Sequence, residues 1–174
     1  MTEIGHPVTD LLARLAGEDP EAAREAALEL GDRREYGAAP LMLEILGATS
    51  DARVRNGIAY ALSAMRVPEM FEVVVELLRQ ERTRGFRGTL LYALRPFDCT
   101  PILPLLVDLV IGDSWEAARE AGYLITEIEV VSTDTWLPLE ERLRAALEVV
   151  EDPGRREIIA FLSEFFENDA EEPA

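Results

Sequence analysis

Three of the chain's four tyrosines, Tyr60, Tyr92 and Tyr123, stand 32 and 31 residues apart. Evenly spaced tyrosines suit recognition rather than bond making, because each brings a large rigid apolar body with a polar tip. The groups that carry most covalent and metal chemistry are scarce. Lysine is absent and all 17 basic residues are arginine, which removes Schiff-base formation, a lysine general base and the phosphate-binding P-loop. The one histidine, His6, stands near the N-terminus, so a histidine-based triad is not expected, and a two-histidine metal motif cannot form within one chain. Cys99 is alone, so it forms no internal disulfide; it is read as an inert loop residue in a reducing cytoplasm. Carboxylates are plentiful, but on helical segments they read as solvated surface charge. The expectation is a protein without enzymatic activity, bound metal or cofactor.

Charge narrows the field further. Seventeen basic residues oppose 34 acidic ones, for a net charge of −17. Such a surface repels phosphates, so nucleic acid is not an expected partner. The distribution is uneven. Between Arg79 and Arg95 five arginines (Arg79, Arg82, Arg84, Arg87, Arg95) stand against the single Glu81. That segment reads as an anion-accepting centre inside an acidic rim, with Arg53, Arg55 and Arg119 flanking it. Arg55 and Arg87 occupy a position that commonly pairs with a capping Asp, which favours a structural role for both.

These residues are positioned by a repeated unit. Glu-Ala-Ala-Arg-Glu-Ala occurs at Glu21–Ala26 and again at Glu116–Ala121, an offset of 95, close to three times 32. Such self-similarity is the mark of a tandem array. Ala23, Arg55, Arg87 and Ala118 define one equivalent position. Four residues earlier stand Asp19, Asp51, Thr83 and Ser114, all types whose side chains cap helix N-termini. Three, four and seven residues later come Ala26/Ala27/Leu30, Ile58/Ala59/Leu62, Leu90/Leu91/Leu94 and Ala121/Gly122/Ile125. Those offsets share one helical face, so each copy predicts a capped amphipathic helix.

A more hydrophobic helix precedes each copy, marked by Leu12/Leu15, Leu43/Leu46, Val75/Leu78 and Leu106/Leu109. Gly31-Asp32, Val67-Pro68-Glu69 and Pro96-Phe97-Asp98 read as connectors. A fifth, degenerate pair is expected, with Leu139–Val150 first and a second helix opened by Asp152-Pro153. The fold class is therefore all-α. One domain is expected over residues 1–168, followed by an acidic, disordered tail at 169–174. Met1–Asp10 lacks a basic segment leading into an apolar core, so no signal peptide is expected. The longest apolar stretch, Pro101–Gly112, is interrupted by Asp108 and is too short to span a bilayer.

The pattern Asp-x-x-Val-Arg-x-x-Ile-Ala-x-x-Leu at Asp51–Leu62 resembles the second helix of HEAT repeats, in particular the short bacterial, phycobilisome-lyase-like form. Asp19–Gly31 resembles it almost as well, while the third and fourth units lack the opening Asp. The likeness extends over roughly residues 8 to 166. It implies a right-handed α-solenoid of about five HEAT-like helix pairs, with the second helices lining a concave surface. HEAT-like hydroxylases bind iron through His-Glu pairs, and this chain has none.

Five residues past the reference position, about 140° around the helix, stand Leu28, Tyr60, Tyr92 and Tyr123. On the implied concave surface they form a ladder. Arg53, Asn56, Arg84, Arg87 and Arg119 are the candidate polar contacts, and Trp115 is a rim anchor or a lid over a repeat junction. The alternative is that each ring only packs on the neighbouring unit. Trp136 is read as core of the fifth pair.

Two functional classes follow. The first is a non-enzymatic, cytoplasmic protein-binding scaffold or adaptor, of which a bacterial immunity or antitoxin-like protein is one form. Its partner is a basic toxin drawn in by bulk charge, or an acidic peptide segment held by the arginines. The second is a small-ligand or chromophore-handling protein similar to phycobilisome lyase subunits. Neither reading involves a membrane.

Overall fold

A computed structural model describes residues 6–165; the tail expected at 169–174 lies outside them. Among the described residues there are ten α-helices and no strand: α1 (Val8–Leu15), α2 (Pro20–Asp32), α3 (Ala39–Ala48), α4 (Ala52–Met65), α5 (Met70–Arg79), α6 (Arg87–Ala93), α7 (Leu103–Gly112), α8 (Trp115–Thr126), α9 (Thr133–Leu147) and α10 (Pro153–Phe165). They belong to two compact units, Met1–Phe97 and Asp98–Ala174. In the first, α1, α3 and α5 pack on α2, α4 and α6 respectively; α2, α4 and α6 lie side by side, as do α3 and α5. The second repeats the scheme, with α7 on α8, α9 on α10, α8 beside α10 and α7 beside α9. This is the layered packing of helix pairs expected of a HEAT-like α-solenoid.

The stripes make the core. Ala26, Ala27, Leu30, Ile58, Ala59, Leu62, Leu90, Leu91, Leu94, Ala121 and Ile125 are all fully buried. Small residues let the second helices approach closely. A Cβ placed on Gly31 of α2 would lie 2.7 Å from the Ala61 Cβ of α4 and 3.0 Å from its Cα.

Helix starts follow the predicted caps in three of four copies. Asp19 accepts from the Glu21 N–H at 3.0 Å, Asp51 from the Arg53 N–H at 2.8 Å, and Ser114 from the Ala117 N–H at 3.2 Å. The third copy departs from expectation. Thr83 does not cap α6; it ends a 3-10 turn, Glu81–Thr83, and its hydroxyl reaches the carbonyls of Leu77 (2.7 Å) and Gln80 (2.8 Å). Gly85, at φ +83°, follows, and α6 starts only at Arg87. The fifth pair also differs: α9 starts at Thr133, capped by Ser132, and runs through Pro138. Trp136 is 5% exposed within it.

Helix C-termini leave carbonyls without intrahelical donors, and arginines supply them. Arg82 donates to Gly47 O (2.7 Å) and Thr49 O (2.6 Å) at the end of α3. Arg87 donates to Gln80 O (2.9 Å) at the end of α5. Arg155 bonds Ile111 O (3.0 Å) and Asp113 O at the end of α7, and Arg156 bonds Leu147 O and Val150 O at the end of α9. Each of these guanidiniums also complements the negative end of a helix dipole.

The second helices of the first two repeats end alike. Arg34 and Arg66, 32 residues apart, both take left-handed backbone angles, φ 55° and 56°. The next N–H bonds back to Leu30 O (3.0 Å) or Leu62 O (3.1 Å). This is the helix stop where glycine is usual, and a residue with a Cβ costs roughly 1–2 kcal/mol there.

Candidate functional site

Tyr60 lies in the third turn of α4 and Tyr92 near the end of α6, on adjoining helices of one layer. Their rings stack at 6.2 Å between centroids and 12° between planes, and each stays partly open, 46% and 41% exposed. The Arg95 guanidinium lies 4.4 Å from the centre of the Tyr92 ring, within cation–π range. Beneath them a cavity of about 280 Å³ is lined by both tyrosines, Ser63, Ala64, Arg66, Arg95 and Pro96. Arg66 reaches it from its left-handed position at the helix end. The result is an open aromatic step, with Arg95 over one ring and Arg66 among the residues that line the cavity.

The other candidates distribute differently. Arg53 and Asn56 precede Tyr60 by seven and four residues, on the same face of α4. Arg53 is exposed and pairs with Asp51 at 3.2 Å. That bond and the Val54 N–H hold the Asp51 carboxyl below the usual carboxylate range. Asn56 is half-buried, and its Oδ1 is enclosed without a hydrogen-bond partner. Leu28 on α2 is half-buried. Arg84 lies in the turn before α6, paired with Glu81 at 3.3 Å.

Arg87 does not belong to the exposed face. It is 8% exposed, its Nε meets Thr83 Oγ1 at 3.2 Å, and it caps Gln80 O. Its counterpart Arg55 is 1% exposed, with Nε and Nη2 unpartnered. Burial lowers the basicity of Arg55, as does the Arg82 charge, while Asp51 opposes both. The arginine-rich segment is thus largely engaged in structure: Arg82 and Arg87 cap helices, Arg79 faces Glu76 at 4.0 Å, and Arg84 faces Glu81.

Trp115, Arg119 and Tyr123 form a row on α8, in the second unit. Arg119 lies 5.4 Å from the Trp115 ring and pairs with Glu120 at 2.8 Å. Tyr123, 41% exposed, borders a mostly apolar hollow of about 370 Å³ shared with Ile158, Phe161 and Leu162 of α10. The α10 side of that hollow was missed, because the degenerate fifth pair offers no column to align. Arg66 and Ser63 were missed for another reason: they lie beyond the tyrosine column, where side-chain direction depends on how the helix ends. The pairing of Arg34 with Arg66 at repeat spacing was the available signal.

Cys99 is 3% exposed, and burial pushes its thiol up to about 12, so it stays protonated through the neutral range. Among the described residues no group of three or more His, Cys, Asp and Glu side chains is placed to hold a metal ion. No described helix is long and apolar enough to cross a membrane.

No curated protein matches the chain. A family model of HEAT repeats matches residues 8–95, just over half of the 174 residues, covering α1 to α6 and both stacked tyrosines. With that match and the paired helices packed in two layers, the chain belongs to the HEAT-repeat family.

Proposed function

We propose that this protein is a non-enzymatic protein-binding module whose contact surface is the second-helix face of its first unit, centred on Tyr60 and Tyr92. HEAT repeats commonly serve as protein-interaction scaffolds. The observation that carries the assignment is the open, stacked tyrosine pair over a cavity walled by Arg66 and Arg95. Two rings that served only packing would be expected to lose most of their surface; these keep nearly half, with the polar and cationic tips favoured at binding hot spots. An immunity or antitoxin-like role is one form of this function. Its support is the net charge of −17, which draws in basic proteins.

The test compares wild type with a Tyr60→Ala/Tyr92→Ala variant in affinity capture from the native host, alongside thermal melts. Capture is expected to fall sharply while the variant stays folded. A folded variant that captures normally would place the contact surface elsewhere. Unfolding at ambient temperature would make the pair structural and sink the assignment.

A further inference from the structure

From the geometry of this step we infer the chemistry of its occupant: a carboxylate of an acidic peptide segment, seated between Arg66 and Arg95 against the Tyr60–Tyr92 rings. The inference rests on the docking face proposed above and deepens it. Two of the residues that line the cavity are arginines, and guanidiniums pair with carboxylates through charge-assisted, directional hydrogen bonds. The step itself is aromatic, so it favours an acid on a short apolar stem, as in a Glu or Asp side chain. The cavity, about 280 Å³, suits a side chain with its neighbouring backbone rather than a whole ligand of drug size.

Arg66 is the telling residue. Its backbone is left-handed at φ 56° where glycine is usual, and no described residue forms a hydrogen bond or ion pair with its guanidinium. Arg34 ends α2 in the same way but does not line the cavity. The two therefore form a matched pair for separating backbone effects from binding.

The experiment uses the full chain and a blocked short peptide of alternating Glu and Ala, with Gln and Lys counterparts and inorganic phosphate as separate probes. Ring signals of Tyr60 and Tyr92 report binding by nuclear magnetic resonance. The Glu peptide is expected to bind roughly tenfold or more tightly than the Gln peptide. Arg66→Gly should erase that preference without lowering the melting temperature, because glycine accepts the left-handed angle. Arg34→Gly should leave it intact. Equal binding of Glu and Gln peptides, preference for the Lys peptide, or no ring shift with any peptide would overturn the inference. So would ring shifts with phosphate and none with the Glu peptide. If Tyr60→Ala/Tyr92→Ala abolishes partner capture but Arg66→Gly does not, the docking face stands and the carboxylate reading falls. If neither variant affects capture, both fail.

Discussion

At the scale of single residues, the pair Arg55 and Arg87 shows how identical repeat positions diverge. Both are buried, yet Arg87 reaches Gln80 O and Thr83 Oγ1, while Arg55 encloses Nε and Nη2 without partners. A buried charge that lacks full hydrogen bonding is replaced by an apolar group of similar volume at little or no loss. Arg55→Met is therefore expected to leave the melting temperature unchanged or raise it. Arg87→Met is expected to cost about 1–3 kcal/mol, since the Gln80 carbonyl loses its charged donor. Thermal denaturation of the two single variants reads the contrast, and equal losses would mean that Arg55 holds its junction as Arg87 does. Nothing in the spacing separates the two. The difference arises from the 3-10 turn at Glu81–Thr83, which brings Thr83 and Gln80 within reach of Arg87 alone. The same turn explains why the arginine-rich segment looked like an open anion site in one dimension and is mostly engaged in three.

At the scale of elements, what could be read beforehand was whatever depends on local periodicity. The buried stripes, the Asp19, Asp51 and Ser114 caps and the pairing of hydrophobic with amphipathic helices all recur at 31–32 residues, and each is a property of one helix. The misreadings fall where a neighbouring element decides. Thr83 has the right side chain for a cap, but the carbonyls at the end of α5 claim its hydroxyl. The first helix of the fifth pair, expected from Leu139, instead starts at Thr133 and runs through the exposed Pro138. The close approach of α2 and α4 makes a separate demand on Gly31, whose added Cβ would press on the Cβ and backbone of Ala61 rather than on the movable end of a long side chain. Gly31→Val is expected to destabilise the chain by about 1–3 kcal/mol through overpacking. Gly112, with nothing within 4 Å of its would-be Cβ, is the control: Gly112→Ala should be nearly silent in urea denaturation. Equal midpoints for the two variants would show that the α2–α4 spacing yields more easily than its geometry implies.

At the scale of the whole molecule, bulk charge and local site pull in opposite directions. The net charge of −17 favours the approach of a basic partner, whereas the Tyr60–Tyr92 step with Arg66 and Arg95 favours an acidic one. Their ranges differ. Bulk charge acts over many ångströms and is screened within about 10 Å at 0.1 M salt, so it governs the association rate. The local guanidiniums act at contact and govern how long the partner stays. For an acidic segment, the chain's own field is a barrier, and added salt should lower it. Association of the captured partner is therefore expected to accelerate between low salt and about 0.1 M, while Arg66→Gly chiefly speeds dissociation. Stopped-flow mixing across a salt series measures the first, and chase with unlabelled protein the second. Reversal of Arg84 and Arg87, the substitution the charge pattern alone would recommend, cannot report on the site, because Arg87 caps α5. Association that slows with salt would identify a basic partner recruited by bulk charge, as an immunity-like role requires, and would overturn the acidic occupant inferred for the Tyr60–Tyr92 step.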